Sequence, residues 1–231
     1  MKRWTSRAAV ALALAAGAAG TVQAATPRSA TAGVTPAPST APVRPASAPA
    51  TRGATAPVPP SSYTLKLKGK YQRTDYYCMP ASASMSLSTF GVTVKQGKLA
   101  RAMNTTTSGT WDRDAIPVLN SYVKPLGYKY TIVSGLTGRP NALMKHVAYD
   151  VGVLRRAPNI DVWVEKLPWN RGKISGTRIG HIMVVYGYDK TKRTITVFDP
   201  WKPTGGTHTL SAKALANTLQ YDGSLHYITR A

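Results

Sequence analysis

The chain has 231 residues, a formal net charge of +21 and a single cysteine, Cys78, which excludes an intramolecular disulfide. Such a charge favours polyanionic neighbours such as cell-wall polymers, acidic lipids or nucleic acid. The lysines and arginines are scattered, however, without a basic helix or an aromatic-interleaved motif. Specific nucleic-acid binding is therefore not expected, and nucleic acid is the weaker alternative to an anionic envelope.

The first 24 residues have the pattern of a secretory signal peptide. Lys2, Arg3 and Arg7 precede an uncharged apolar run at residues 8–19, and small residues that fit a signal-peptidase site follow. The run is short for a bilayer span, so a retained membrane anchor is the weaker alternative. Because no later segment is long and apolar enough for a transmembrane helix, the sequence predicts a secreted protein, extracellular or associated with the cell wall.

Residues 25–62 are rich in Pro, Ala and Thr, contain no aromatic residue and carry only three charges, all of them arginines. Such a segment cannot bury enough apolar surface to offset the entropy of ordering it, so we predict a disordered linker. Residues 63–231 are enough for one domain with its own core. This domain keeps a net charge of +15 once the three cations of each preceding segment are subtracted. We expect it to be a monomer attracted to an anionic cell envelope.

Hydrophobic periodicity and turn residues predict the elements of the domain in chain order. Pro80 suits the first turn of a helix that ends before Gly91, and Thr93 and Gln96 have the spacing of a capping box for a second helix. Asp112 opens a third helix, and two more are predicted at residues 140–155 and 211–220. Strands are predicted at residues 63–67, 128–133, 160–164, 182–188, 193–198 and 225–229. Helices gather early and strands late, which predicts an α+β domain with an N-terminal helical lobe packed on a C-terminal antiparallel sheet.

Cys78 is an inert buried residue, an intermolecular linker or a nucleophile. Its position at the start of a helix favours the thiolate, which is the nucleophilic form. A thiolate nucleophile also needs a base to hold the proton and return it to a leaving group. His181 is the best candidate, because it follows Gly180 and opens a buried strand, where its ring would be held rigidly beside a cleft.

The other three histidines have weaker claims. His146 lies among apolar residues of a predicted helix, which favours a structural role. His208 follows a Gly-Gly loop and is expected to be exposed, and His226 lies in the last strand with no chemical group beside it. One cysteine and dispersed histidines without a His-x3-His spacing give no convincing ligand set, so no metal and no cofactor are expected.

Asp199 is predicted to orient the imidazole of His181. The strands at residues 182–188 and 193–198 form a hairpin, and the alternation along the second strand turns Asp199 toward the core. A loop with an odd residue count would place Asp199 directly opposite His181, whereas an even count would require a bulge. A carboxylate in that place fixes the ring tautomer and stabilises the imidazolium. The alternative is a turn-capping aspartate before Pro200.

Gln72 is the candidate oxyanion donor. Acyl transfer needs donors aimed at the developing oxyanion, and a side-chain amide with the backbone N–H of the nucleophile supplies two. Gln72 stands six residues before Cys78, near enough to return to it across a loop. Gln-x5-Cys-x-Pro-Ala, a Gly-His pair opening a strand, and Phe-Asp-Pro ending the next strand together form a fairly specific combination.

These motifs resemble the bacterial C39-like branch of the papain-like cysteine peptidases. The resemblance covers residues 72–201 and rests on residues 72–83, 180–189 and 198–201. It implies a papain-like fold, with the cysteine helix in one lobe and the His/Asp hairpin in the other. It also implies that Cys78 is the nucleophile, His181 the general base and acid, Asp199 the orienting residue and Gln72 an oxyanion donor. Many relatives carry glycine directly after the cysteine, and the bulkier Met79 is expected to narrow the cleft or to change which substrates enter.

The resemblance therefore implies a secreted cysteine peptidase that acts on a peptide or protein substrate by covalent acyl transfer. One alternative is a transglutaminase-like acyltransferase, which would pass the acyl group to an amine. The other is a catalytically inactive cell-wall-binding module of the same fold. Replacing Cys78 by alanine would abolish a peptidase and leave a binding module intact.

Overall fold

The computed structural model describes residues 57–174, 178–221 and 223–231. The predicted signal peptide and the predicted linker up to residue 56 lie outside these ranges. The described elements, in chain order, are β1 (Ser62–Thr64), α1 (Cys78–Ser88), α2 (Gln96–Ala102), α3 (Asp112–Val123), β2 (Tyr128–Val133), α4 (Pro140–Val147), β3 (Asn159–Trp163), β4 (Gly180–Asp189), β5 (Thr194–Asp199), β6 (Gly206–Ser211), α5 (Ala212–Ala216) and β7 (Leu225–Arg230). None of the described helices has the length and apolar character needed to cross a membrane.

Seven antiparallel strands form one sheet with the order β2-β7-β3-β4-β5-β6, and β1 pairs with the far end of β4. Successive side chains of a strand point to opposite faces, and β4 shows this directly. Ile182 packs in the core formed by α1, α2 and α3, whereas Met183 and Val185 pack in the core that includes α4 and α5. The predicted α+β class, with an N-terminal helical lobe against an antiparallel sheet, is confirmed.

Helix α1 lies at the centre of the helical lobe and is buried on every side. Its small residues allow this close packing, and the hydroxyls of Ser82, Ser84 and Ser86 each donate to a backbone carbonyl of another segment. Ser82 donates to the carbonyl of Ile182 on β4 at 3.0 Å. Ser84 donates to the carbonyl of Val94 at 2.7 Å. Polar contacts therefore fix the cysteine-bearing helix against the strand that carries His181.

The predicted capping box at Thr93 and Gln96 is wrong. Helix α2 begins at Gln96, and its N-cap residue makes no side-chain capping bond. The Gln96 side chain instead donates to the carbonyl of Tyr71 at 2.9 Å and accepts from the N–H of Arg73 at 3.1 Å. These two bonds hold the chain on either side of Gln72. Gln96 therefore supports the segment that leads to Cys78.

Three other predicted elements differ from the structure. The helix predicted at residues 140–155 is α up to Val147 and continues as a π-helix at Ala148–Leu154. The helix predicted at residues 211–220 is the short α5, because residues 218–220 form backbone hydrogen bonds with β3 instead. The strand predicted at residues 63–67 is the three-residue β1, which begins one residue inside the predicted linker.

Asp150 is a fully buried carboxylate in this π-helix. One oxygen accepts the backbone N–H of Ile228 on β7 at 3.1 Å, and the other has no hydrogen-bond partner among the described residues. Burial raises the pKa of Asp150 well above its ordinary value, and the Ile228 bond opposes this only in part. The folded protein therefore keeps a proton that the unfolded chain releases above about pH 4.

The contribution of Asp150 to stability should consequently fall as the pH rises above about 4, and Asp150→Asn should not share this fall. The free energy of unfolding of the variant minus that of the wild type should increase by up to about 1.4 kcal/mol for each pH unit. Urea unfolding between pH 4 and pH 7 measures the difference. Asp189→Asn removes a carboxyl group from a surface turn and is the matched control. A difference between Asp150→Asn and the wild type that stays constant over this range would contradict the prediction.

Candidate active site

Cys78 is the first residue of α1, and its free thiol is half-buried. The first backbone N–H groups of a helix have no intrahelical partner, and they give this end a partial positive charge that favours a thiolate. Pro80 stands in the first turn, where its missing N–H costs no hydrogen bond, as predicted. Met79 is fully buried in the core of the helical lobe. The expectation that Met79 narrows the cleft is therefore wrong, because its side chain lies in this core and is not among the described residues that line the cavity beside Cys78.

His181 and Asp199 form a direct pair. The Nε2 atom of His181 and the Oδ1 atom of Asp199 are 2.7 Å apart, and both side chains are buried. Oδ1 also accepts the backbone N–H of Trp201 at 2.8 Å, and Oδ2 accepts the indole N–H of Trp169 at 3.0 Å. The bond to Trp201 is the turn cap that the sequence offered as the alternative role. Asp199 thus caps the turn and holds the imidazole at the same time.

The pair forms although the two residues are not directly opposite each other. The loop between β4 and β5 has an even count, and a bulge lies between Val185 and Gly187. Beyond the bulge Val184 pairs with Phe198, and continuing that register places Asp199 opposite the residue two positions after His181. Diagonal neighbours on one face lie within reach of longer side chains. The bulge that the sequence requires for an even loop is present, and Asp199 does not lie directly opposite His181.

The charges of the site reinforce one another. Burial alone would lower the pKa of His181, but the hydrogen bond to Asp199 and the neighbouring Cys78 side chain outweigh it and raise the pKa to about 10. Burial alone would raise the pKa of Asp199, but the bonds from His181, Trp201 and Trp169 hold it below its ordinary value. An imidazolium beside a carboxylate is therefore the favoured state at neutral pH, and the sulfur of Cys78 lies next to it.

Gln72 lies in the loop that leads to α1. Its Nε2 donates to the carbonyl of Thr74 at 2.9 Å, and its backbone N–H donates to the carbonyl of Pro200 at 2.8 Å. The second bond ties this loop to the turn that follows Asp199. One of the two N–H groups of the side-chain amide is therefore already hydrogen-bonded within the loop.

A cavity of about 540 Å³ opens beside the thiol and the imidazole. Cys78 and His181 both line it, and most of the remaining lining comes from β3 and from the segments around α3 and before β7. The other lining residues are Ser108, Gly109, Thr110, Trp111, Asp112, Asp161, Trp163, Arg178, Gly180, Ile182, Gln220, Tyr221 and Ser224. The cavity can therefore hold a ligand whose reacting group lies against the sulfur.

A second cluster that the sequence did not reveal lies beside the same cavity, and two of its members, Asp112 and Asp161, line the cavity. His226 is fully buried, and its Nε2 lies 2.9 Å from Asp112 Oδ1 and 3.7 Å from Asp161 Oδ1. The expectation that no chemical group lies beside His226 is wrong, because β7 pairs with β3 and brings it next to Asp161. Burial raises the pKa of Asp161 to about 7, although His226 pulls it down. Burial lowers the pKa of His226, but the two carboxylates outweigh it and raise the pKa above its ordinary value.

Trp169 and His208 also contribute to the site, and the sequence assigned them no such role. The two rings are stacked, with centroids 3.7 Å apart and planes 4° from parallel. His208 lies on β6, is only partly exposed and donates from Nε2 to the carbonyl of Thr204 at 3.1 Å. The expectation that His208 is exposed on a loop is therefore wrong. The stack holds the indole that donates to Asp199.

The comparisons with known proteins agree with this architecture. The model of the Peptidase_C39 like family matches residues 64–225. A C39-like peptidase from Bacillus anthracis is 19% identical, with a TM-score of 0.51 over 74% of this chain and 98% of that chain. A double glycine motif protease from an AMS/PCAT transporter, in complex with its leader peptide, is 15% identical, with a TM-score of 0.51 over 73% of this chain and 95% of that chain.

Xylellain, a cysteine protease from Xylella fastidiosa, is 13% identical, with a TM-score of 0.50 over 75% of this chain and 87% of that chain. No curated protein sequence matches the chain. At these identities the structural likeness concerns the fold, whereas the family match covers more than half of the chain. The chain belongs to the Peptidase_C39 like family and has a papain-like α+β fold.

Proposed function

We propose that the protein is a cysteine peptidase that hydrolyses amide bonds of peptides or proteins through Cys78, His181 and Asp199. The observation that carries the proposal is the buried pair in which His181 Nε2 lies 2.7 Å from Asp199 Oδ1, with the Cys78 thiol beside the same ring. A carboxylate that holds one ring nitrogen leaves the other, Nδ1, to exchange a proton with sulfur.

In the proposed reaction the Cys78 thiolate attacks the carbonyl carbon of the scissile bond. The imidazolium of His181 protonates the leaving amine, and the carbonyl carbon remains bound to sulfur as a thioester. His181 then takes a proton from water, which attacks the thioester and releases the carboxylic acid. The thiolate and the imidazolium are restored at the end of the cycle.

We propose two donors for the developing oxyanion. The backbone N–H of Cys78 lies at the start of α1, where helical geometry provides no intrahelical acceptor. The Gln72 amide gives one N–H to the carbonyl of Thr74, and the other is the proposed second donor. Such donors act on the charge that appears only in the transition state.

The test is incubation of a peptide library with the wild type, Cys78→Ala and Cys78→Ser, followed by mass spectrometry. We expect the wild type to form cleavage products that end in free carboxyl groups. Both variants should form them at rates lower by a factor of at least about 10⁴. A parallel reaction with an added primary amine distinguishes hydrolysis from transfer. Amide products formed in preference to acids would favour an acyltransferase. Undetectable turnover, together with envelope binding that persists in Cys78→Ala, would indicate a non-catalytic module.

We further propose that the protein is exported and acts at an anionic cell surface. The support is the signal-like pattern of residues 1–24, the Pro/Ala/Thr-rich segment that follows and the net charge of +15 on the domain. Surface polymers with negative charge would concentrate such a domain near its substrate.

A further inference from the structure

Asp112, Asp161 and His226 converge from three distant parts of the chain. Asp112 begins α3, Asp161 lies in the middle of β3, and His226 lies on β7. Because His226 pairs with Asn159, Asp161 is its diagonal neighbour on the sheet. Asp112 then closes the group from the helical side, and both carboxylates line the cavity described above.

The spacing of the three groups fits a small cation. One possible ligand atom from each residue lies within 4.8 Å of the others. The Nε2 atom of His226 is 2.9 Å from Asp112 Oδ1 and 3.7 Å from Asp161 Oδ1. Ligands bound tetrahedrally at the usual zinc distances are roughly 3.3 Å apart. The two separations measured from His226 Nε2 therefore lie on either side of the value that a zinc-sized ion requires.

A second observation points to a missing ligand. Asp161 is 5% exposed, and its Oδ1 atom is buried without a hydrogen-bond partner among the described residues. A buried carboxylate oxygen without a partner is costly, so such an atom needs an explanation such as a bound ion. Its nearest charged partner is His226 Nε2 at 3.7 Å, beyond hydrogen-bond reach, and the residue that carries this oxygen lines the cavity.

We propose that Asp112, Asp161 and His226 bind a divalent metal ion of the zinc type, with its remaining coordination position open to the cavity. Metal binding displaces protons from its ligands, and the two carboxylates and the neutral imidazole then carry two negative charges, which a divalent ion balances. Three protein ligands with an open position are the usual number for a zinc ion that contacts a water or a substrate. A basic substrate side chain is the competing occupant, because it would pair with the two carboxylates that line the cavity.

The site requires no peptidase activity, so it can be tested by binding alone. Zinc is titrated by calorimetry into the whole chain carrying Cys78→Ala, because the thiol is itself a zinc ligand. We expect one ion per chain. Adding Asp161→Asn, or separately Asp112→Asn, should weaken binding by at least about tenfold. The matched control is Asp114→Asn, which removes a partly exposed carboxylate from the same helix and should leave binding unchanged.

Circular dichroism shows whether each variant is folded. If Asp161→Asn does not fold, Asp112→Asn still tests the site, because Asp112 is only half-buried. Three results would overturn the proposal: undetectable zinc binding, equally tight binding in the folded site variants, or equal weakening by Asp114→Asn. A lysine-containing peptide is titrated in parallel. If that peptide binds in an Asp161-dependent manner and zinc does not, the cluster recognises a basic side chain and the metal site is rejected.

Discussion

Replacing His181 by alanine is expected to lower kcat/KM for peptide hydrolysis by about 10³- to 10⁴-fold, because one ring supplies both the general base and the general acid. The same change should slow alkylation of Cys78 by iodoacetamide at pH 6 by about 10- to 100-fold. An ordinary thiol is only about 0.3% ionised at that pH, so it reacts slowly without an imidazolium beside it. Peptide turnover and the mass of the alkylated protein over time give the two rates.

His146→Ala is the matched control for this experiment. It removes a half-buried imidazole on helix α4. This ring packs against Tyr227, away from the cavity. We expect its turnover and alkylation rates to match those of the wild type. If the folded His181→Ala variant is alkylated as fast as the wild type, Cys78 and His181 do not form an activated pair.

Removing the carboxylate of Asp199 should have the next largest effect. We expect Asp199→Ala to lower kcat by about 10²- to 10³-fold, because the ring loses the group that fixes its orientation and tautomer. The pKa of His181 is raised to about 10 in the intact site. The leaving amine needs the imidazolium, so activity falls where the ring loses its proton. Without the carboxylate that pKa falls, and the alkaline limb of the pH–rate profile should move to lower pH.

Asp199→Asn distinguishes orientation from charge. Oδ1 accepts two hydrogen bonds and Oδ2 accepts one, from Trp169. An amide that keeps its oxygen toward His181 must therefore point its NH₂ at the indole N–H, which sets two donors against each other. Adding Trp169→Phe removes this conflict, so the double variant should be several-fold more active than Asp199→Asn alone. An alkaline limb that stays in place in Asp199→Ala would contradict a role for the carboxylate in holding the proton.

The local signals in the sequence predict the fold class, the start of α1 and the β4–β5 hairpin. A helix that begins beside Pro80 and two apolar strands around a polar turn are recognisable in short windows. Strand β6 is missed because its residues are mostly polar, with Thr207 and Thr209 exposed. Its place is set by backbone pairing with β5, and such pairing leaves little trace in side-chain composition.

The candidate site, like the fold, is predicted from the sequence only in part. Cys78, His181 and Asp199 each stand at the end of a regular element, and the structure brings them together. The cluster around His226 is invisible locally, because only the insertion of β7 between β2 and β3 brings it near Asp161. Spacing rules for metal ligands find sites within one hairpin or helix and miss a group assembled by sheet order.

The wall of the cavity combines two kinds of structure. Cys78 and His181 stand on elements fixed by buried hydrogen bonds, whereas residues 108–111 and Arg178 come from connecting segments, and Trp111 is 58% exposed. Loops on a rigid scaffold tolerate substitution far better than the scaffold does. Selection for a new substrate, in nature or in the laboratory, should therefore change these connecting segments first. Their side chains can be exchanged while the reacting atoms keep their places.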